Sequence, residues 1–206
     1  MRIAGNTGLA SVAALALSVG VVRTSVDAAP IQSPTPVPTP SRSGPEAAAV
    51  NEFMKRVDAY VSIHTTAEKT LPTLPKDATP QQIDQKQRNL AAKIQAARTG
   101  AKRGDIFTPE MTTLVKNLMN RVFAGKDGAQ LRASIQDENV KYLPLKVNQR
   151  YPDEYPLTTM PPDVLKALPQ LPEEMEFRFV GSQLILLDTH AHVIPDFVPD
   201  ALPLTR

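Results

Sequence analysis

The chain predicts an α+β fold, with helices first and a small antiparallel sheet at the end. Two observations carry this. Between residues 46 and about 138 the apolar residues recur every three or four positions, behind repeated helix-start signals. After Met175 the period drops to two and a Gly-Ser pair separates two apolar runs. A third observation sets the boundary between them. Ten of the 20 prolines lie from Pro144 onward, which limits the intervening stretch to short pieces.

The first 28 residues read as an export signal. Met1-Arg2 leads into an apolar run, Leu9 to Val22, which is shorter than the roughly 20 residues of a membrane-spanning helix. Val26 and Ala28 are small enough for a signal peptidase, so cleavage is expected after Ala28. Residues 29–45 hold six prolines and form an extended, semi-rigid linker. Residues 46–206 are expected to make a single α+β domain, helical over 46–142 and Pro-rich with a β-hairpin over 143–206. This places the protein in the periplasm or outside the cell.

Pro45 opens the first helix, whose stripe is Phe53, Val57, Tyr60, His64, Ala67 and Leu71, stopped by Pro72 and Pro75. Thr79-Pro80 opens the second, with Ile83, Gln87, Leu90, Ile94, Ala97 and Ala101 on one face and Gly104 at its end. The two should pack as an antiparallel hairpin. Thr108-Pro109-Glu110 opens the third, carrying Met111, Leu114, Val115, Leu118, Val122 and Phe123, and Gly125 closes it. Asp127 opens a shorter fourth with Leu131 and Ile135. A brief helix fits Pro162 to Leu168 within a segment expected to wrap over the others. Met175, Phe177 and Phe179 then alternate with Glu176 and Arg178, Gly181-Ser182 turns the chain, and Leu184 to Leu187 returns as a strand buried on both faces. Thr189 to Ile194 is expected to continue that strand with a bend.

Composition narrows the chemistry. There is no cysteine, so disulfides, thiol catalysis and a lipoprotein anchor are excluded. Cleavage after Ala28 leaves 21 basic and 20 acidic side chains, a balance that predicts neither nucleic acid nor an anionic membrane as partner. No Gly-x-Ser-x-Gly elbow or Gly-rich phosphate loop is present.

Two groups of residues are candidates for a site. Asp188, His190 and His192 would share a face if the strand continued, and imidazole with carboxylate suits zinc, with Asp196 close by. The Asp188-Thr189-His190-Ala191-His192 string resembles the metal signature of amidohydrolase-type barrels. Only 14 residues follow His192, however, and such a barrel needs about 200. The simplest alternative makes these three the solvent face of an edge strand. The second group is a ligand-binding set of His64, Arg98, Lys102 and Asp105, in a groove between the helices and the hairpin. His64 sits on an apolar stripe, as a core residue with a hydrogen-bond partner or as an acid–base group. Arg98 and Lys102 also complement the dipole at the end of the second helix.

Tyr60-Val61-x-x-His64 and Arg98-x5-Gly104-Asp105-Ile106-Phe107-Thr108-Pro109 resemble a group of uncharacterised exported bacterial proteins. Val147-Asn148-x-x-Tyr151-Pro152, Met160-Pro161-Pro162, Leu168-Pro169-x-Leu171-Pro172 and Phe177-Arg178-Phe179-Val180-Gly181 agree. The resemblance spans most of residues 50–200 and implies an intact exported domain without an assigned activity. The leading expectation is therefore a non-catalytic domain that binds a protein or small molecule in the cell envelope, with no cofactor and no stable membrane insertion after cleavage. The alternatives are a small metal-dependent hydrolase using Asp188, His190 and His192, with zinc as the candidate metal, and a structural protein of the cell envelope.

Overall fold

A computed structural model describes residues 44–138 and 143–203. The signal at 1–28 and most of the linker lie outside them. Gly44 and Pro45 are already helical, so the first helix, α1 (Gly44–Glu68), begins slightly earlier than expected. Its stripe is buried as the spacing requires: Ala49, Phe53, Val57, Tyr60, His64 and Ala67 all face inward. Leu71 falls just beyond the helix and packs against the core from the loop.

The second helix, α2 (Pro80–Ala97), starts with a complete capping box. The Gln82 amide donates to the Thr79 hydroxyl at 3.3 Å, and the Thr79 amide donates to Gln82 Oε1 at 2.8 Å. Two features depart from the stripe. Ile83 is exposed, because burial begins only at Leu90. The helix also ends at Ala97 rather than near Gly104, and Gly100 turns the chain at φ +90°. The left-handed Gly100 stands two residues beyond the C-cap Arg98, a local helix stop. Asn148 Nδ2, far along the sequence, donates to the carbonyls of Gln95 and Arg98 and closes the helix end from outside. Glu68 meets Lys86 at one end of the helix pair and Tyr60 meets Arg98 at the other, so α1 and α2 run antiparallel.

Thr108 caps the third helix, α3 (Pro109–Ala124), by accepting from the Met111 amide, and Gly125 ends it. Its buried face is the predicted one with Met119 added, while Val122 is only partly covered. The fourth, α4 (Gly128–Glu138), packs back on α3 through Ile135, and the short α5 (Pro162–Ala167) inserts Val164.

The strands are β1 (Gln149–Arg150), β2 (Met175–Val180), β3 (Gln183–Asp188), β4 (Val193–Ile194) and β5 (Phe197–Val198). β2 and β3 form the expected hairpin, with Met175 opposite Asp188, Val180 opposite Gln183 and Gly181 at φ +59° in the turn. β5 pairs with the other side of β3, so β3 is the central strand of an antiparallel sheet ordered β2-β3-β5. β1 and β4 make a separate two-stranded pair.

The period of two then divides β3 between two cores. Leu184 and Leu186, with Phe177 and Phe179 opposite them, face the helices; Phe53, Phe107 and Phe177 stack there at centroid distances of 5.2–6.4 Å. Ile185 and Leu187 face a second cluster with Leu143, Tyr151, Ile194 and Phe197. The segment from Leu143 onward thus covers the sheet as well as touching the end of α2. Asp188 follows Leu184 and Leu186 on the helix side. No helix among the described residues is long and apolar enough to cross a membrane.

Gly128 is the tightest joint between α3 and α4, since a methyl group there would overlap the carbonyl of Phe123. Gly128→Ala should lower stability by about 1–3 kcal/mol, read as a lower urea midpoint with an unchanged slope.

Candidate functional site

The site is built on one buried carboxylate. Asp188 ends β3 with no exposed surface. Its Oδ2 accepts from the Tyr60 hydroxyl at 2.8 Å and from His64 Nδ1 at 2.6 Å. Its Oδ1 accepts from the backbone amides of His190 at 3.0 Å and Ala191 at 2.7 Å. Tyr60 and His64 are one turn apart on the inner face of α1, so the helix presents both to the end of the strand.

Those backbone bonds explain why the strand stops. An aspartate that takes the amides two and three residues ahead offers the chain a turn in place of the ladder. The His192 amide closes the turn on the Asp188 carbonyl at 2.9 Å, and His192 then adopts φ +55°. The expectation of a strand continuing through 194 is corrected here: residues 189–191 are turn, and β4 begins only at Val193. Asp188, His190 and His192 therefore do not share a face. The edge-strand alternative fails too, because Asp188 is buried on the central strand.

The two histidines part company in the turn. His190 approaches α1, its ring centroid 5.2 Å from that of His64 and its Nδ1 3.8 Å from Glu68 Oε1. His192 faces the other way, with its ring edge-on to Tyr151 and its Nδ1 3.8 Å from Asp153. Burial, and then the nearby Arg150, push the His192 pKa down. Asp196 is remote from both roles. Its buried carboxylate accepts from the amides of Gly104, Ile106, Phe107 and Phe197, which ties the connector before α3 to the end of the chain.

Glu68, one turn after His64, completes the cluster. Its Oε2 lies 3.4 Å from His64 Nε2, and its Oε1 lies 3.6 Å from the Lys86 ammonium. His64, Glu68 and His190 are a set of side chains whose donor atoms lie within 4.8 Å of one another. Sequence reading singled out two of these three and missed Glu68. The signal was present, since His64-x3-Glu68 is an i, i+4 pair on one helix face.

The protonation pattern follows from the partners. A carboxylate can only accept, so His64 carries its proton on Nδ1 toward Asp188. In the neutral ring Nε2 then holds a lone pair. It is buried and has no hydrogen-bond partner. Burial opposes the charged ring, but the bond to Asp188 and the charges of Asp188 and Glu68 raise the His64 pKa above its ordinary value. Burial, followed by Asp188, holds the Tyr60 phenol well above the usual range, so Tyr60 donates.

The second expected group is only partly assembled. Arg98 lies over the Tyr60 ring at 5.1 Å and donates to the Pro195 carbonyl, which places it one residue behind the Asp188 network. Lys102 and Asp105 instead close a local turn, the Lys102 amide donating to Asp105 Oδ2 at 2.9 Å. The space between the helices and the hairpin is filled by the phenylalanine stack. A groove of about 410 Å³ runs between α1 and α2, lined by residues that include Ser62, Thr66, Thr70 and Lys93. No family model, curated protein or solved structure matches the chain, so the site is read from its own geometry.

Asp188→Ala would strand two side-chain donors and two amides in the interior. It should cost about 3–5 kcal/mol, with Asp188→Asn costing less, both measured by urea unfolding. The raised His64 pKa has a defined sign. Tyr60, Glu68, Asp188 and His190 face this ring, and the stability it contributes is fully present below about pH 6.5 and is lost as pH rises through the folded value. The stability gap between the parent and His64→Gln should therefore narrow as unfolding curves are taken from mildly acid to alkaline pH.

Proposed function

We propose that this chain is an exported, non-catalytic binding domain of the cell envelope, with its binding centre where Glu68 and His190 border the buried His64 ring. The export reading rests on residues 1–28 and on the Pro-rich linker, which would hold the domain away from a surface. The near balance of charge favours a protein or small-molecule partner over nucleic acid.

One observation carries the location. His64 Nε2 is buried and makes no hydrogen bond, with the Glu68 carboxylate 3.4 Å away, and it lies at the edge of a rim made by the half-exposed Glu68 and His190. Buried polar atoms are normally satisfied, so one left open at the surface end of a rigid network marks a place for a ligand. Binding is favoured over catalysis because the sequence offers no thiol, no nucleophile elbow and no phosphate loop to work with the His64 ring. Asp188 is saturated by four donors and holds that ring in place.

The test is a set of amide and histidine-ring NMR spectra of the full chain, titrated separately with zinc, phosphate, a small dicarboxylate and a short peptide. At least one should move the Glu68, His190 and Ala191 amides together with the His64 ring. Spectra indifferent to all four would refute a binding centre there. Substrate turnover abolished by Glu68→Gln would replace the binding reading with a catalytic one.

A further inference from the structure

We infer, building on that binding reading, that the ligand is a divalent transition cation of the zinc type, held by His64 Nε2, the Glu68 carboxylate and His190 Nδ1. This is a different donor set from the Asp188, His190 and His192 group that the sequence suggests.

Spacing is the first argument. Donor atoms around a tetrahedral ion with bonds of about 2.1 Å sit about 3.4 Å from one another. His64 Nε2 is 3.4 Å from Glu68 Oε2, and His190 Nδ1 is 3.8 Å from Glu68 Oε1. Small rotations of Glu68 and His190 would close the set. Both side chains have room to make them, at 34% and 47% exposure, whereas His64 is fixed at 1%.

The second argument is the state of the fixed ligand. A metal-binding histidine commonly donates its other ring nitrogen to a carboxylate, which sets the tautomer and aims the lone pair. Asp188 does this for His64, and Tyr60 with two backbone amides hold the carboxylate in turn. Nε2 is left buried, without a hydrogen-bond partner and directed at the rim. Asp188 is therefore a positioning residue in this reading and not a ligand.

The donors also select the cation. Two imidazoles and one carboxylate suit zinc and its first-row neighbours, while calcium and magnesium prefer sets made of oxygen. Glu68 brings a carboxylate to the rim itself, beside the Lys86 ammonium, and Asp188 places a second one beneath His64, so a divalent cation there would meet two carboxylates. Three protein ligands leave one position open to solvent or to a partner's donor atom. The ion would join α1 to the 189–192 turn, two elements held together here through Asp188.

The experiment is zinc titration calorimetry on the full chain, free of any histidine tag, with cobalt(II) absorption as a second readout. The parent should take up about one zinc per chain and give a visible cobalt spectrum with nitrogen and oxygen ligation. Glu68→Gln and His190→Ala alter half-exposed side chains and leave the core intact. Each should weaken zinc at least tenfold and bleach the cobalt band, since loss of even an outer-sphere partner costs that much. His192→Asn, which keeps a residue tolerant of positive φ, should bind as the parent does. No stoichiometric uptake would overturn the cation assignment, as would uptake indifferent to Glu68→Gln and His190→Ala or lost in His192→Asn. The phosphate, dicarboxylate and peptide spectra then decide separately whether the rim binds anything else. If one of those ligands moves it, only the cation is wrong; if none does, the binding reading falls as well.

Discussion

The acceptance of four hydrogen bonds by the Asp188 carboxylate is the interaction on which the rest of this arrangement depends. Taking a carboxylate fully out of water costs several kcal/mol. Here the cost is offset by four donors from two directions. Tyr60 and His64 come from α1, and the amides of His190 and Ala191 come from the chain just ahead. One side chain thus ties the first helix to the central strand across more than a hundred residues and ends that strand at the same point. The apolar stack of Phe53, Phe107 and Phe177 lies on the same side of the sheet, so the polar bond and the packing agree about how α1 sits.

Asp196 repeats the device eight residues later. It too is buried, and it gathers amides from the connector at 104–107 and from Phe197. Burial raises its pKa above the usual carboxylate range, with the surrounding N–H groups pulling against that rise. Asn148 does related work at the end of α2. These side chains satisfy backbone groups that no ladder reaches, which is how a segment rich in proline and short in strands can still be buried. Arg98 joins the two carboxylate networks, lying over Tyr60 while donating to Pro195.

The candidate site is a consequence of that scaffolding. Because His64 must hold Asp188 with Nδ1, its other nitrogen is turned toward Glu68 and makes no hydrogen bond. The turn that Asp188 creates brings His190 to the same place, and helix geometry adds Glu68. Rigid support beneath and adjustable side chains above suit a binding centre, since little order remains to be imposed on the fixed ligand.

Local pattern alone determined much of this protein. Thr79-Pro80 and Thr108-Pro109 start helices because a hydroxyl and a missing amide suit those positions wherever they occur, and the alternation of Met175, Phe177 and Phe179 makes a strand face for an equally local reason. The stripe through Phe53, Val57, Tyr60 and His64 likewise reports its buried face directly. Other features were decided only by tertiary structure. The carbonyls at the end of α2 are met by Asn148, Ile83 is left exposed, and the strand breaks at Asp188 because its side chain bonds forward to the backbone. Asp188 and His190 are visible in the sequence as neighbours of His192. Their partnership with His64 and Glu68 is not, because it joins a helix to a turn more than a hundred residues away, and periodicity describes the faces of single elements but not which faces meet.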